Sequence, residues 1–510
     1  MAGVVAVDQL VLLVTLDCCR ADHFSCNGYP RSTTPALDGL AGDGVNFSRA
    51  FSTAGVTPHS LPGIFLSNFY QNFGRSRVAP HELGTLAEAF SASGWHTIGL
   101  SAGDAVASHL YGYDRGFAEF RDFVGDGTET VPDSRRLPPP GEMERFRADC
   151  REHPEVCEMI RRLTGATNGQ LVRSFAGRPW HLDAGPMVDT LIDRISDNAH
   201  RGRVFGWLHL MDVHEPVYVR RSRLGRFGPA SQQLLNAWSE VCKSEAMLED
   251  AGLGPGSEQM AGKYAEHYDS ALSYVDLELE RLLNFLHGEG LFDRSLVCVT
   301  ADHGQDLFED DIFGHWFGRP MSQRLVRVPL IFGGGLADPL ADHSTQRIVS
   351  TLDVGPTLLD LCDVPAPDSF LGRSLADDTP RPAFGQSFYD GIDPRGASDD
   401  LACIRLEKGP GRYRVGPYPA PVRECLHEMG FCARDGRMFR YDTGRDEEVV
   451  LDLEKGGESK PGVASRQDLA EQARNYFNSV YHPAKTQSEG ELCGAEKENL
   501  VKRLRGLGYL

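Results

Sequence analysis

At 510 residues, with 41% hydrophobic and 24% charged side chains, the chain has ordinary globular composition and enough length for one large or two ordinary domains. A formal net charge of −20 excludes a general nucleic-acid or anionic-membrane binder, which needs basic patches; a small anionic substrate stays open, since a bound cation inverts the local field. No stretch reaches the roughly 18 apolar residues of a membrane span, and MAGVVAVDQL lacks the basic start and cleavage site of a secretory signal, so a cytoplasmic protein with no integral membrane segment is expected.

In that compartment the 12 cysteines are expected to be reduced. The spacings of Cys150 with Cys157 and of Cys425 with Cys432 would allow bridges, and neither is the CxxC of a zinc ribbon.

VLLVTLD (11–17) opens the pattern as a buried strand ending on Asp17. Helical signals follow at 35–42, where Pro35 starts and Gly42 stops the run, then a short strand at 45–53 and a helix from Ser60 to Asn68. An amphipathic helix over 83–93 leads to the strand 95–102. Residues 124–180 break this rhythm with GDGTETVPDSRRLPPPGE and a modest helical stretch near 153–163, which reads as an insertion or lid. Order returns with helix 187–197, strand 203–212, long helix 258–287, strand 295–300, strand 327–334 and helix 352–362. Past about residue 380, short polar strands at 401–407, 411–416, 438–443 and 447–453 predict an antiparallel sheet, followed by a helix at 467–479. The expected architecture is α/β: a three-layer sandwich on a mostly parallel sheet over residues 1–378, with a smaller α+β part over 379–510.

In open α/β sheets, ligands sit outside the carboxyl ends of the strands. Two apolar runs end on acidic groups, one on Asp17 and the other on Asp302-His303-Gly304, so both strand ends can deliver ligands to one metal ion. Between them in sequence lies VTPHSLPGIF (56–65), with Thr57 and Ser60 as candidate hydroxyl nucleophiles beside that ion.

These pieces resemble the sulfatase-type branch of the alkaline phosphatase superfamily. LVTLDCCRADHF, VTPHSLPGIFLS, FGWLHLMDVHEPV, VTADHGQ, FGH, RVPLIF and LDVGPTLLDL occur in that family's order over residues 9–375. The resemblance places the nucleophile at Thr57 and the metal ligands at Asp17, Thr57, Asp302 and His303. It matches His214 and His315 to histidines that contact the transferred group, protonate the leaving oxygen or hold a second metal. Arg20, His59, Ser60 and Asp212 are candidates for substrate contact or for support of these groups.

The chain departs from sulfatases proper in several places. There is no CxPSR, so no formylglycine is expected; the arginine position of that motif is Leu61, and the usual Asp-Asp strand end is Asp17-Cys18. Cys18 itself reads as a small buried hydrophobe. Thr with an Asp-His pair is similar to the phosphodiesterases and phosphoethanolamine or glycerophosphate transferases of the superfamily. Imidazole favours Zn²⁺ or Mn²⁺ over Ca²⁺ or Mg²⁺. The resemblance therefore implies a metal-dependent hydrolase or transferase of a phosphate diester or phospho-headgroup, working through a covalent Thr57 intermediate. The alternatives are a sulfuric ester hydrolase without formylglycine and a catalytically silent anion-binding member. A helix beginning near Ser60 would also aim its first amides at the anion.

Overall fold

A computed structural model describes residues 7–123, 140–152, 154, 157–158, 181–220, 222–228, 231–232, 234–239, 257–309, 313–315, 317–341, 343, 345–389, 406–408, 413–415, 419–454, 463–486 and 491–492. Most of the expected insertion at 124–180, most of its helical stretch near 153–163 and the start of the 401–407 strand lie outside these residues.

The central sheet has seven strands: β1 (Gln9–Leu16), β2 (Val45–Asn46), β3 (His96–Ser101), β4 (Glu119–Arg121), β5 (Arg203–Leu210), β6 (Ser295–Ala301) and β7 (Leu330–Gly333). Their spatial order is β2-β7-β6-β1-β5-β3-β4. Strands β6, β1, β5, β3 and β4 run parallel, while β7 runs against both β6 and β2. The longer helices are α1 (Pro35–Asp43), α2 (Thr57–Phe65), α3 (Leu86–Ala92), α4 (Pro140–Glu152), α5 (Ala184–Asp197), α6 (Ser257–Gly288), α7 (Val354–Asp360) and α8 (Val463–Ser479). Among the described residues, no helix is long and apolar enough to cross a membrane.

Strand periodicity explains the three layers. Phe205 and Trp207 lie two apart on β5 and so share a face. Phe90 of α3 stacks on Phe205 at 4.5 Å, and Phe65 of α2 meets Trp207 at 4.2 Å. The intervening Gly206 faces the other way, where an added methyl would come within 3.5 Å of Leu191 of α5. Helices α1 and α6 complete that second layer. With both faces covered, β1 and β6 are buried along nearly their whole length, which is why their sequences are unbroken apolar runs.

A second, antiparallel sheet is built from β8 (Ala383–Tyr389), β9 (His427–Arg434), β10 (Arg437–Asp442) and β11 (Glu447–Asp452). Alternation again divides its residues. Phe384, Cys432 and Phe439 pack with Ala473 and Phe477 of α8, while Phe431 and Met438 pack with Phe51 and Leu325 of the main body. Tyr413–Val415, read as one of its strands, belongs instead to a separate small sheet with Leu406–Lys408 and Glu491–Leu492.

Three other local expectations change. The strand expected over 45–53 is two short pieces, since Ala50–Phe51 joins a different ribbon with Arg327–Val328 and Val349–Ser350. The 327–334 strand divides likewise around Pro329, which has no N–H to give to a ladder. Cys150 and Cys157 are disulfide-bonded with Cα atoms 5.7 Å apart, against the expectation of reduced thiols, because their spacing brings them into bridging range. Cys425 and Cys432 are free.

Candidate active site

Sheet register sets the first two ligand positions. Leu16 pairs with Ala301 across β1 and β6, so Asp17 and Asp302, each the next residue, leave adjacent strands side by side. The chain after β1 is then pinned by Tyr268 of α6, whose hydroxyl donates to Cys18 O at 2.8 Å and accepts from Arg20 N at 3.1 Å. After β6, Gly304 passes so near another segment that a Cβ there would lie 1.9 Å from Arg324 O, so only glycine fits the third position of Asp-His-Gly.

Asp17, Thr57, Asp302 and His303 meet at this edge, all fully buried. His303 Nδ1–H donates to Gly304 O at 2.7 Å, which leaves its Nε2 with the lone pair. That nitrogen accepts from the Thr57 hydroxyl at 3.1 Å and lies 3.3 Å from Asp302 Oδ2 and 3.9 Å from Asp17 Oδ1. Asp302 Oδ1 is taken by the amides of His303 (2.7 Å) and Cys18 (3.3 Å). Among the described residues, neither oxygen of Asp17 accepts a hydrogen bond. A buried carboxylate so placed is costly unless a cation meets it.

The electrostatics give the same reading. Burial would raise Asp17, but the imidazoles of His214, His209 and His303 outweigh it and hold the carboxyl well below the usual range. Burial and the charge on Asp17 push Asp302 upward. Neighbouring buried carboxylates resist ionising together, and a divalent cation removes that conflict. Two carboxylates, an imidazole lone pair and a hydroxyl therefore fit such an ion.

His214 and His315 stand beside this cluster. His214 Nδ1–H donates to Glu215 O, and His315 Nδ1 lies 3.2 Å from Glu215 Oε2 and 3.4 Å from Cys18 Sγ. Their rings are 4.9 Å apart, and His315 is 4.7 Å from His303. Burial and the carboxylates of Asp17, Glu215 and Asp302 hold the Cys18 thiol well above its ordinary range.

Sequence reasoning missed His209 and Asp104. His209 Nε2 lies 3.5 Å from Asp17 Oδ2 and 3.9 Å from Asp104 Oδ2. Thr15 Oγ1 accepts from the Trp207 indole at 2.9 Å and bonds His209 Nδ1 at 2.8 Å, which fixes the ring. Burial and Asp17 push Asp104 up to about 7, and the surrounding carboxylates raise His209 despite its burial. The available signal was a histidine inside the apolar run VFGWLHLM, since buried polar residues are the informative exceptions.

The four supporting candidates divide. Ser60 Oγ–H donates to Thr57 O at 3.3 Å and lies 3.4 Å from Asp302 Oδ2. Arg20 is committed elsewhere, to Asp22 at 2.8 Å and Glu309 at 2.6 Å. Asp212 Oδ1 accepts from Ala184 N at 3.1 Å at the start of α5, and burial with the charge of Asp183 pushes it up to about 8. His59 bonds Ser387 of β8 at 2.8 Å. The helix-amide expectation is corrected: α2 starts at Thr57, Pro58 has no N–H, and the amides of His59 and Ser60 both donate to Val56 O.

Comparison with known proteins adds the following. The family model described as Sulfatase matches residues 9–364. An arylsulfatase of Clostridium perfringens is 21% identical over 391 residues, 72% of this chain and 77% of that protein. Phosphatidylethanolamine transferase Mcr-1 of Escherichia coli is 23% identical over 370 residues, 70% of this chain and 54% of that protein. The crystal structure of the phosphonate monoester hydrolase of Agrobacterium radiobacter shares the fold, with TM-score 0.56 at 17% identity over 92% of this chain and 94% of its own.

Proposed function

This chain belongs to the sulfatase family, and we propose that it is a divalent-metal-dependent hydrolase or transferase of a phosphate ester, a diester or phospho-headgroup, with Thr57 as nucleophile. The observation that carries this reading is the Thr57 hydroxyl, 3.1 Å from the lone-pair nitrogen of His303 and enclosed with Asp17 and Asp302. Zn²⁺ or Mn²⁺ suits the imidazole and hydroxyl donors, with Asp17, Asp302, His303 and Thr57 holding it. Bound there, the ion supplies the lowered pKa of the hydroxyl and positive charge for the equatorial oxygens.

The residues of the chain do the rest. Thr57 Oγ, acidified at that site, would lose its proton to solvent and bond to phosphorus as the bond to the leaving oxygen breaks. The leaving oxygen needs a proton or a positive neighbour, and His214 and His315, which stand beside His303, are the groups that would supply it. Water or an acceptor hydroxyl then attacks the phospho-threonine and frees Thr57. A lone general base is worth only about 10²–10⁴-fold, too little for phosphate ester cleavage, so positioned charge has to carry most of the rate. A cytoplasmic location is part of the same proposal.

The second reading is a sulfuric ester hydrolase without formylglycine, favoured by the similarity to an arylsulfatase. Turnover of aryl phosphodiester, phosphomonoester and sulfate surrogates separates the two. Thr57→Ala should cut turnover by at least about 10³-fold while elemental analysis still finds metal. Activity near wild type in that variant would reject Thr57 as nucleophile.

A further inference from the structure

Gln305 directly follows Asp302-His303-Gly304 and is fully buried, and among the described residues neither Oε1 nor Nε2 of its side chain has a hydrogen-bond partner. Buried amides are nearly always paired, because an unmet one has lost its bonds to water and gained none. The groups on either side are committed. Gly304 N donates to Leu325 O at 2.7 Å, and Arg20 Nη1 donates to Gln305 O at 3.3 Å. The Asp306 carboxylate accepts from Arg324 Nε at 2.6 Å and from Ser322 Oγ at 3.3 Å. The backbone is held, and the carboxamide alone is left over.

Strand register says where that carboxamide faces. The short strands Asp306–Leu307 and Phe313–Gly314 pair antiparallel, with Asp306 opposite Gly314. One step back along the first is one step forward along the second, so Gln305 stands opposite His315. Opposite residues of an antiparallel pair project from the same face, with Cβ atoms about 4.5–5.5 Å apart. His315 uses that face to approach His303, their ring centroids 4.7 Å apart. Asp306, one residue on, projects from the other face, as its bond to Arg324 requires. The Gln305 amide therefore lies on the active-site side, beside the histidine that would serve the leaving oxygen.

We propose that Gln305 is a specificity residue that hydrogen-bonds the leaving alcohol, and that the preferred ester is one whose alcohol carries a neutral hydroxyl near the ester oxygen. This rests on the phosphate-ester reading above and names its substrate class. The side chain itself makes the choice. A carboxamide both donates and accepts, and so does a hydroxyl; an ammonium only donates, and an alkyl group does neither. Asp17, Asp302 and Glu215 already bury three carboxylates here, and an amide adds hydrogen-bonding capacity without a fourth negative charge to hold an amine. An ester with an alkyl group at this place leaves both ends of the amide unmet, which is the arrangement by which buried polar groups reject a substrate.

The test is binding, read by titration calorimetry on the full chain loaded with Zn²⁺, at about 0.15 M salt to screen the charge of the chain. The probes are hydroxyethyl, propyl and aminoethyl phosphate, which match in size and differ in one terminal group. Wild type should bind hydroxyethyl phosphate at least about tenfold more tightly than propyl phosphate. Gln305→Leu should erase that ratio by weakening hydroxyethyl phosphate, with propyl phosphate held within about twofold. Gln305→Glu should move the preference toward aminoethyl phosphate. Circular dichroism checks that each variant folds, and the wild-type ratio decides the matter even where one does not. Equal binding of the hydroxyethyl and propyl esters by wild type overturns the inference and leaves the phosphate-ester reading in place. A ratio that survives in Gln305→Leu also overturns it, since the hydroxyl would then be met elsewhere and the amide by water. Failure of all three phosphates to bind would take the phosphate-ester reading down with it.

Discussion

His59 and Thr57 sit two residues apart on α2 and do opposite things. Thr57 faces the carboxylates, whereas His59 packs among Tyr70 and Phe317 at 4.4 and 5.4 Å and accepts from Ser387. Burial pushes the His59 imidazole down to about 3 from an ordinary 6.5. Between those values the unfolded chain binds a proton that the folded one does not. This residue's contribution to stability therefore rises with pH across the window and is lost on acidification toward pH 3. In His59→Gln, the gap between urea midpoints at pH 7 and pH 4 should be smaller than in wild type; an unchanged gap would rule out that linkage. The same scale shows what sequence could reveal. Asp17, Asp302 and His303 were legible because polar groups ending long apolar runs mark strand ends. His209 and Asp104 were not: one lies within its strand, the other three residues past a strand end, and only the register of Thr15 and Ser101 with His209 brings them to Asp17.

At the level of elements, helix α2 carries Thr57, the proposed nucleophile, and its seat is set by a close approach. A Cβ on Gly63 would lie 2.5 Å from Thr53 Oγ1 and 2.7 Å from Thr53 Cγ2. Threonine is stiff at χ1, so the helix would have to move instead. Gly63→Ala should cost about 1–3 kcal/mol of stability and lower kcat more than it raises KM, because Thr57 shifts with the helix. Thermal melts and steady-state kinetics read both effects; an unchanged kcat would show that the helix does not set the nucleophile's position. Helix α2 was itself expected three residues later, from Ser60, because Pro58 reads equally as a breaker and as a first-turn residue. Strands β1, β5 and β6 were plain from their apolar runs. Strand β8, AFGQSFY, was missed, since it is buried along its length yet interrupted by Gly385, Gln386 and Ser387. The strand meets the main body through the backbone amide of Gln386, which donates to Thr53 O at 2.7 Å, and through the Ser387 hydroxyl at His59, while the Gln386 side chain donates to Glu428 of β9 at 2.9 Å.

Over the whole molecule, the proposed reaction brings an anionic ester to an acidic protein. The net charge of −20 would repel such a substrate at long range, while a cation held, as proposed, by Asp17, Asp302 and His303 would attract it at contact. The two effects differ in reach. Raising ionic strength from about 0.01 M to about 0.15 M shortens the screening length from about 30 Å to about 8 Å, which removes the distant repulsion and leaves buried contacts nearly untouched. The value of kcat/KM for an anionic phosphodiester surrogate should therefore rise with salt, by less than about tenfold, with kcat nearly constant. Metal content measured at each salt concentration separates screening from loss of the ion. A fall in kcat/KM at constant metal content would mean that the approach to the site is locally positive, and that residues near its mouth, rather than the net charge of the chain, govern encounter.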